Sequence, residues 1–433
     1  MPSRYFVIPT LALIAGVGVA QAADLDYQIH GFASQGYVVT DGAVYEEGWF
    51  GRDTNESGTL EFNEFGLNVV ATPIEHLRVG AQFIAYDLGK YGNNELQIDW
   101  AFGEYQIPVT DGVEVSVVAG RFKTGHAFYN DYRDLVMTRA LVFLPRSVYS
   151  VFFRDFYLAA NGAQLNANID AGPAGSFIIS GFLGTQNLDE DEGPLRDIIA
   201  SGINQPRPAF IGSTDFVTPK LKEFDSLTVD KFNGAHFEWN TPMEGLRLKA
   251  SALYADNMEA SGTMVVTLPA NLGGATSSET SVDFVVDHWF DVTFGAEYVL
   301  GDFTIASEVA SRYFTIQAIT GPLDFPGALP DSPASTENLA SRSLGTYISA
   351  SYQLSCLPGA WKRLSACGAF NWDRTTDTYA NTNTYLRSGA IALRYDIVDH
   401  FLVKAEFERV QETSASAIHS YGNIFALKTT FDF

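Results

Sequence analysis

The sequence predicts an all-β chain closed into a transmembrane antiparallel β-barrel of about sixteen strands. Three observations carry this: long runs of alternating apolar and polar residues, an alternation of short and long links between those runs, and no apolar segment suited to a membrane helix. In "FDVTFGAEYVL", Phe290, Val292, Phe294, Ala296, Tyr298 and Leu300 alternate with Asp291, Thr293, Gly295 and Glu297. A period of two puts one set on each face of a strand. The pattern recurs in Leu77 to Phe83, where Arg78, Gly80 and Gln82 lie between apolar residues, in Leu344 to Leu354, and in Phe401 to Phe407, where the intervening residues are Lys404 and Glu406, continued by Glu408. Many runs are long enough for a tilted crossing of a bilayer, about 9 to 11 residues, and exceed the usual globular strand of about 5 to 6.

The links then order the strands. Short, turn-rich links are expected at 72–76, 108–112, 170–175, 241–245, 299–302, 356–363 and 396–400, and longer ones at 40–58, 88–94, 123–156, 185–225, 256–283, 315–342, 374–384 and 411–420. Seven turns and eight loops join sixteen strands, with turns at one rim and loops at the other, as in an outer-membrane barrel with periplasmic turns and extracellular loops. "TPIEHLRVGAQF" (72–83) and "TPMEGLRLKASA" (241–252) share a turn-plus-strand pattern. Apolar residues make up 46% of the chain, yet beyond residue 22 there is no uninterrupted apolar run of about 18, which excludes a helical membrane protein.

Residues 1–22 read as a cleaved secretory signal peptide: Arg4, an apolar run from Val7 to Ala20, and the small-x-small pattern Ala20-Gln21-Ala22. Residues 23–433 are then a single barrel domain. Loss of Arg4 takes the formal charge from −24 to −25. A pI near 4.5 argues against nucleic acid as a partner. The seven histidines are scattered, and no metal, cofactor or acyl-transfer motif appears. No cofactor is implied and the chain does not read as an enzyme, although an unspaced Ser/His pair in a barrel keeps hydrolysis as the competing class.

Positive charge is concentrated in one place. Arg121, Lys123, Arg133, Arg139, Arg146 and Arg154 fall within 34 residues that hold only two acids, Asp131 and Asp134, where an even spread would give about two basic residues. The apolar piece "ALVFLP" (140–145) would be costly if exposed to water. It is expected to pack on the barrel wall or on a neighbouring subunit, which would fold the loop near 123–156 into the lumen. Two readings follow. The arginines form a pore constriction that favours anions, or they pair with wall carboxylates such as Glu61, Glu64, Asp99 and Glu104 and hold the loop in place. The aromatics of the segment, Phe128, Tyr129, Tyr132, Tyr149, Phe152 and Phe153, admit a sugar or oligosaccharide path, although interface girdles account for most aromatics in such barrels.

The last strand, "YGNIFALKTTFDF", places Phe425, Leu427, Phe431 and Phe433 on one face. Here the chain resembles the Gram-negative outer-membrane porin superfamily, in which a terminal aromatic strand is the signal read by the barrel-assembly machinery. "IHGFASQGYVV" (29–39) resembles the opening strand of such porins. "AGRFKTGHAFYNDYRD" (119–134) is similar to the segment before the constriction in the phosphate-selective group, with Gly125 where that group has proline. The resemblance implies a passive channel for small hydrophilic solutes in the outer membrane, surrounded by lipid and lipopolysaccharide, and admits a homotrimer. "DEDE" (189–192) reads as a solvated acidic loop or as a divalent-cation bridge to lipopolysaccharide phosphates. Cys356 and Cys367, close together in an exported chain, are expected to form a disulfide, contributing on the order of 3 kcal/mol.

Overall fold

The alternating runs become strands in the expected order. A computed structural model describes residues 26–41, 57–89, 91–150, 153–188, 193, 196, 199–200, 207–208, 216–268, 277–323, 325, 334–378, 381–413 and 419–433. The expected signal peptide, the acidic run 189–192 and Phe152 lie outside these residues.

Sixteen strands form the wall: β1 (Asp26–Asp41), β2 (Asn63–Ile74), β3 (Leu77–Asp87), β4 (Gln97–Thr110), β5 (Val113–Lys123), β6 (Ala159–Asp170), β7 (Ser176–Asn187), β8 (Phe216–Asn240), β9 (Leu246–Thr267), β10 (Ser277–Leu300), β11 (Phe303–Thr320), β12 (Ser335–Gln353), β13 (Leu364–Asp377), β14 (Thr382–Val398), β15 (Phe401–Thr413) and β16 (His419–Asp432). Each pairs antiparallel with its neighbour in sequence. β1 also pairs with β16, from Phe32 opposite Asp432 to Asp41 opposite Asn423, which closes the sheet. A closed sheet leaves no row of unpaired backbone groups, the condition for lying in hydrocarbon. No helix among the described residues is long and apolar enough to cross a membrane.

The two faces separate as the period of two requires. On β16, Phe425, Leu427, Phe431 and Phe433 are exposed on the outside, while Ile424, Ala426, Lys428 and Thr430 are buried on the inside. On β10, Phe290, Val292 and Phe294 face out and Trp289, Asp291 and Thr293 face in. The repeated turn also has a physical basis. His76 and Gly245 occupy the same place in it, and both adopt left-handed φ, 66° and 82°. A tight reversal before an outgoing strand needs that conformation.

Two expectations are corrected. Links 185–225, 256–283 and 315–342 are shorter than expected, because β8, β9 and β10 run for 25, 22 and 24 residues and β11 and β12 for 18 and 19. The alternation continues beyond the apolar outer band, with the faces filled differently. Phe224, Leu227, Met264, Val266, Val282 and Phe284 form an apolar cluster inside, while Lys222–Glu279 and Lys231–Asp256 ion pairs lie outside. The second correction concerns Cys356 and Cys367, which are free thiols. Cys356 sits in the turn after β12, whereas Cys367 lies three residues up β13, opposite Ser351. Three residues of strand rise about 10 Å, beyond the usual Cα separation of a bridge, about 7 Å at most. Alkylation of the native, unreduced protein in detergent should therefore modify the exposed Cys356, with the buried Cys367 reacting after denaturation. Mass spectrometry showing modification of neither until reduction would restore the disulfide.

Candidate functional site

The link between β5 and β6, described over residues 124–150 and 153–158, folds into the barrel and ends in a short helix, α1 (Arg154–Leu158). Its base is tied by Thr124 Oγ1 and Asn130 Nδ2, which donate to the carbonyl of Tyr157 at 2.6 and 2.8 Å. Gly125 has φ +67°, and a Cβ there would lie 2.1 Å from Nδ1 of His236 on β8. Proline, fixed near −65°, cannot take this conformation, which explains the glycine at 125.

The loop then meets the wall at buried polar groups. On one side, Ser251 of β9 accepts from the Ala127 N–H at 3.1 Å. Glu308 of β11 accepts from the Phe128 N–H at 2.8 Å, from the Tyr347 hydroxyl at 2.8 Å and from the Tyr149 hydroxyl. Asp291 of β10 accepts from Tyr157 at 2.6 Å and pairs with Arg312 at 2.7 Å. On the other side, Glu406 of β15 accepts from the Val142 N–H at 2.6 Å. The Lys404 ammonium donates to the carbonyls of Val136 at 2.5 Å, Leu141 at 3.2 Å and Arg139. Arg394 of β14 donates to the carbonyl of Met137 at 2.7 Å.

The apolar piece packs on the wall, as expected. Val142 joins Phe32, Phe62, Ile84, Val410 and Ile424, with Phe143 alongside, and Leu141 joins Cys367, Ala390 and Ala392. Burial of each such side chain stabilises by about 1.5–3 kcal/mol. The aromatics of the loop are packing rather than a track: Phe128, Tyr149 and Phe153 are buried and Tyr129 is half-buried, while Tyr132 is 49% exposed.

The six clustered cations have different partners. Lys123 Nζ lies 2.7 Å from Asp99 and 3.4 Å from Asp134. Arg154 lies 2.6 Å from Asp134 and stacks 3.8 Å from the Tyr86 ring centroid. Arg146 pairs with Glu408 at 3.2 Å, and Arg121 donates to the Asp99 carbonyl at 2.9 Å. Arg133 donates to the carbonyls of Tyr149 and Ser150 at 3.4 Å, and Arg139 to that of Val142 at 2.9 Å and to that of Arg133. Of the four expected wall carboxylates, Asp99 meets this cluster. Glu64 pairs with Lys428 and also attracts Arg139 at longer range, and Glu104 pairs with Arg78 at 3.5 Å; Glu61 lies just before β2. Asp291, Glu308, Glu406 and Glu408 were not named as partners, although successive inward charges at 404, 406 and 408 were a readable signal.

Electrostatics in the loop follow burial and partners. Burial would push the Asp134 carboxyl up, but Arg154 and Lys123 outweigh it and hold it well below the usual range. Burial lowers Arg133 to about 10. Burial, outweighing the attraction of Asp291, lowers His126 to about 4. The His126 ring lies between Ser251 Oγ, 3.3 Å from Nδ1, and Asp291, 3.7 Å from Nε2. This resembles a hydrolase arrangement in outline only. All three side chains are buried, Ser251 is engaged by Ala127 and Thr293, and Asp291 is held by Arg312 and Tyr157.

The geometry is shared with solved structures. The outer membrane channel DcaP of Acinetobacter baumannii matches with a TM-score of 0.50 and 12% identity, over 96% of this chain and 99% of that one. The outer-membrane-expressed OmpT of Vibrio cholerae matches with a TM-score of 0.50 and 10% identity, over 96% and 99%. The chain has the fold of outer-membrane channels. No protein-family model matches the chain, and neither does any curated protein sequence.

Two predictions concern how this barrel holds its loop. Arg154→Ala leaves Asp134 buried with Lys123 alone, and breaking a buried pair costs about 3–5 kcal/mol. On a denaturing gel, where unheated folded barrel migrates apart from boiled protein, the temperature at which the folded band is lost should fall, and an unchanged temperature would contradict the pairing. His126 is neutral in the folded protein down to about pH 4, whereas unfolded histidine protonates near 6.5. Its stabilisation is therefore present above about 6.5 and lost as pH falls from there toward 4. His126→Gln should flatten the stability–pH curve across that window relative to the unmodified protein.

Proposed function

We propose that the chain is an outer-membrane porin, a passive diffusion channel for small hydrophilic solutes rather than an enzyme. The observation that carries this is a closed sixteen-strand barrel into which a loop folds, held there by buried polar and charged groups of the inner wall. Export through a cleaved signal, insertion by the barrel-assembly machinery through Phe425, Leu427, Phe431 and Phe433, a lipopolysaccharide surround and a homotrimer belong to the same proposal.

The arginine reading is narrowed. Lys123, Arg146 and Arg154 have carboxylate partners, so they hold the loop and contribute little field. Arg133 and Arg139 meet only backbone carbonyls at hydrogen-bond distance among the described residues, and Arg139 lines a cavity of about 350 Å³ with Arg394, Asp302, Asp396 and Glu297. The proposed selectivity is a weak preference for anions that rests on Arg139. One unit charge about 6 Å from a passing ion acts with about 0.7 kcal/mol in bulk water, roughly threefold. The phosphate specificity of the similar group is not extended to this chain, because these guanidinium groups are already committed to carbonyls. Reversal potentials in a potassium chloride gradient should show a severalfold anion preference at low salt, lost in Arg139→Ala while the barrel stays folded. A cation preference in the unmodified channel would leave the cluster with its holding role alone.

A further inference from the structure

Six of the seven short turns share one sign of charge. In or beside them stand Glu75, Asp111, Asp170, Glu244, Asp302 and Asp399, and the turns themselves hold no lysine or arginine. The seventh, residues 354–363 between β12 and β13, is the longest and reverses the sign: it holds Lys362 and Arg363 and no acid. Pro358 leads it into a 3₁₀ turn, Gly359–Arg363. Its two large apolar side chains are not packed away, Leu357 being 36% and Trp361 63% exposed.

Nothing in the neighbouring turns answers these cations. Asp302, on one side, accepts from the Ser355 hydroxyl, and Asp396, on the other, pairs with Arg394 at 2.8 Å. Arg363 donates to the Ile397 carbonyl at 2.7 Å. Neither Lys362 nor Arg363 has a carboxylate at ion-pair distance among the described residues. The turn also stands at a defined height. Tyr352 continues the outward period of Ile348 one residue before β12 ends, and Tyr395 continues that of Ile391 and Leu393 opposite Leu364, the first residue of β13. Outward aromatics at a strand end mark the level of the lipid head groups, and the basic turn begins there.

We propose that the turn 354–363 is a docking site for an anionic phospholipid, with Lys362 and Arg363 at its phosphate and Trp361 and Leu357 among its first acyl carbons. The inference rests on the outer-membrane reading above. A tryptophan has an apolar body and one N–H donor, which suits it to the boundary between chain and head group. Cations beside that boundary attract anionic lipid and gain little from a zwitterionic one. The acidic turns around the rest of the rim repel the same lipid, so charge complementarity confines it to this place.

The test uses the folded barrel in detergent, with dioleoyl phosphatidylglycerol, dioleoyl phosphatidylcholine and soluble glycerol 3-phosphate as probes. Native mass spectrometry should show phosphatidylglycerol bound at least fivefold more tightly than phosphatidylcholine, the scale of one cation near an anionic surface. Lys362→Ala breaks no ion pair and should reduce that preference about fivefold. Trp361→Ala should weaken both lipids alike and leave their ratio unchanged. Alkylation of Cys356, the exposed thiol of the same turn, should slow with phosphatidylglycerol and not with glycerol 3-phosphate. Equal binding of the two lipids, as expected if the turn instead meets an acidic protein, would overturn the inference. So would a preference unchanged in Lys362→Ala, or equal protection of Cys356 by glycerol 3-phosphate, which would make this a phosphate site alone. A barrel that fails to insert into vesicles removes the outer-membrane reading and this inference with it, whereas an inserted barrel without lipid preference removes the inference only.

Discussion

A loop folded into a narrow cylinder must satisfy its own backbone, and the wall it covers must satisfy its own buried charges. Here each does this for the other. Lys404 is fully buried, and its three donors go to loop carbonyls rather than to a carboxylate. Glu406, two residues on, receives loop N–H groups, and Glu308 across the lumen does the same. A buried polar group without a partner costs about 1–3 kcal/mol, and a buried charge costs more. The loop and the inner wall are therefore a single polar structure that cannot be assembled from one side.

That constraint explains why an acidic chain gathers its cations in one loop. The loop's arginines meet acids on both sides of the lumen, Asp134 in the loop itself and Glu408 on β15, and carbonyls where no acid is in reach. The positive segment completes a negative wall, so much less free charge reaches the pore than the sequence count suggests. The overall charge of −24 and the local positive run are two sides of one arrangement.

The barrel was legible because a period of two and the order of link lengths are local properties of the chain. Strand order, the seven turns, the inward loop and its apolar anchor all follow from them. The long hairpins of β8, β9 and β10 were missed because beyond the bilayer the outer face turns polar, although the inner face keeps its apolar period. The disulfide was misread because closeness in sequence says nothing about height along a strand. The pairing of the cations was not legible: Arg146 and Glu408 are 262 residues apart, and only barrel closure brings them together. Even so, Lys404, Glu406 and Glu408 on one face announced that something had to cover β15.

The uneven placing of the loop follows from its connectivity. It leaves from the end of β5 and returns to the start of β6, so it stands on the strands next to its own stem and must reach across the lumen to bury its apolar piece. The wall it reaches, from β9 round to β3, supplies the buried Asp291, Glu308, Glu406, Glu408 and Lys404. The wall it springs from holds α1 through Phe122, Phe182 and Phe232, which pack with Phe156, and through Gln186, which donates to the Phe156 carbonyl at 2.6 Å; nearer the turns, Ser116, Asn166 and Ser180 bond to one another. The conspicuous charges of the loop, Lys123, Arg146 and Arg154, serve that grip on both walls.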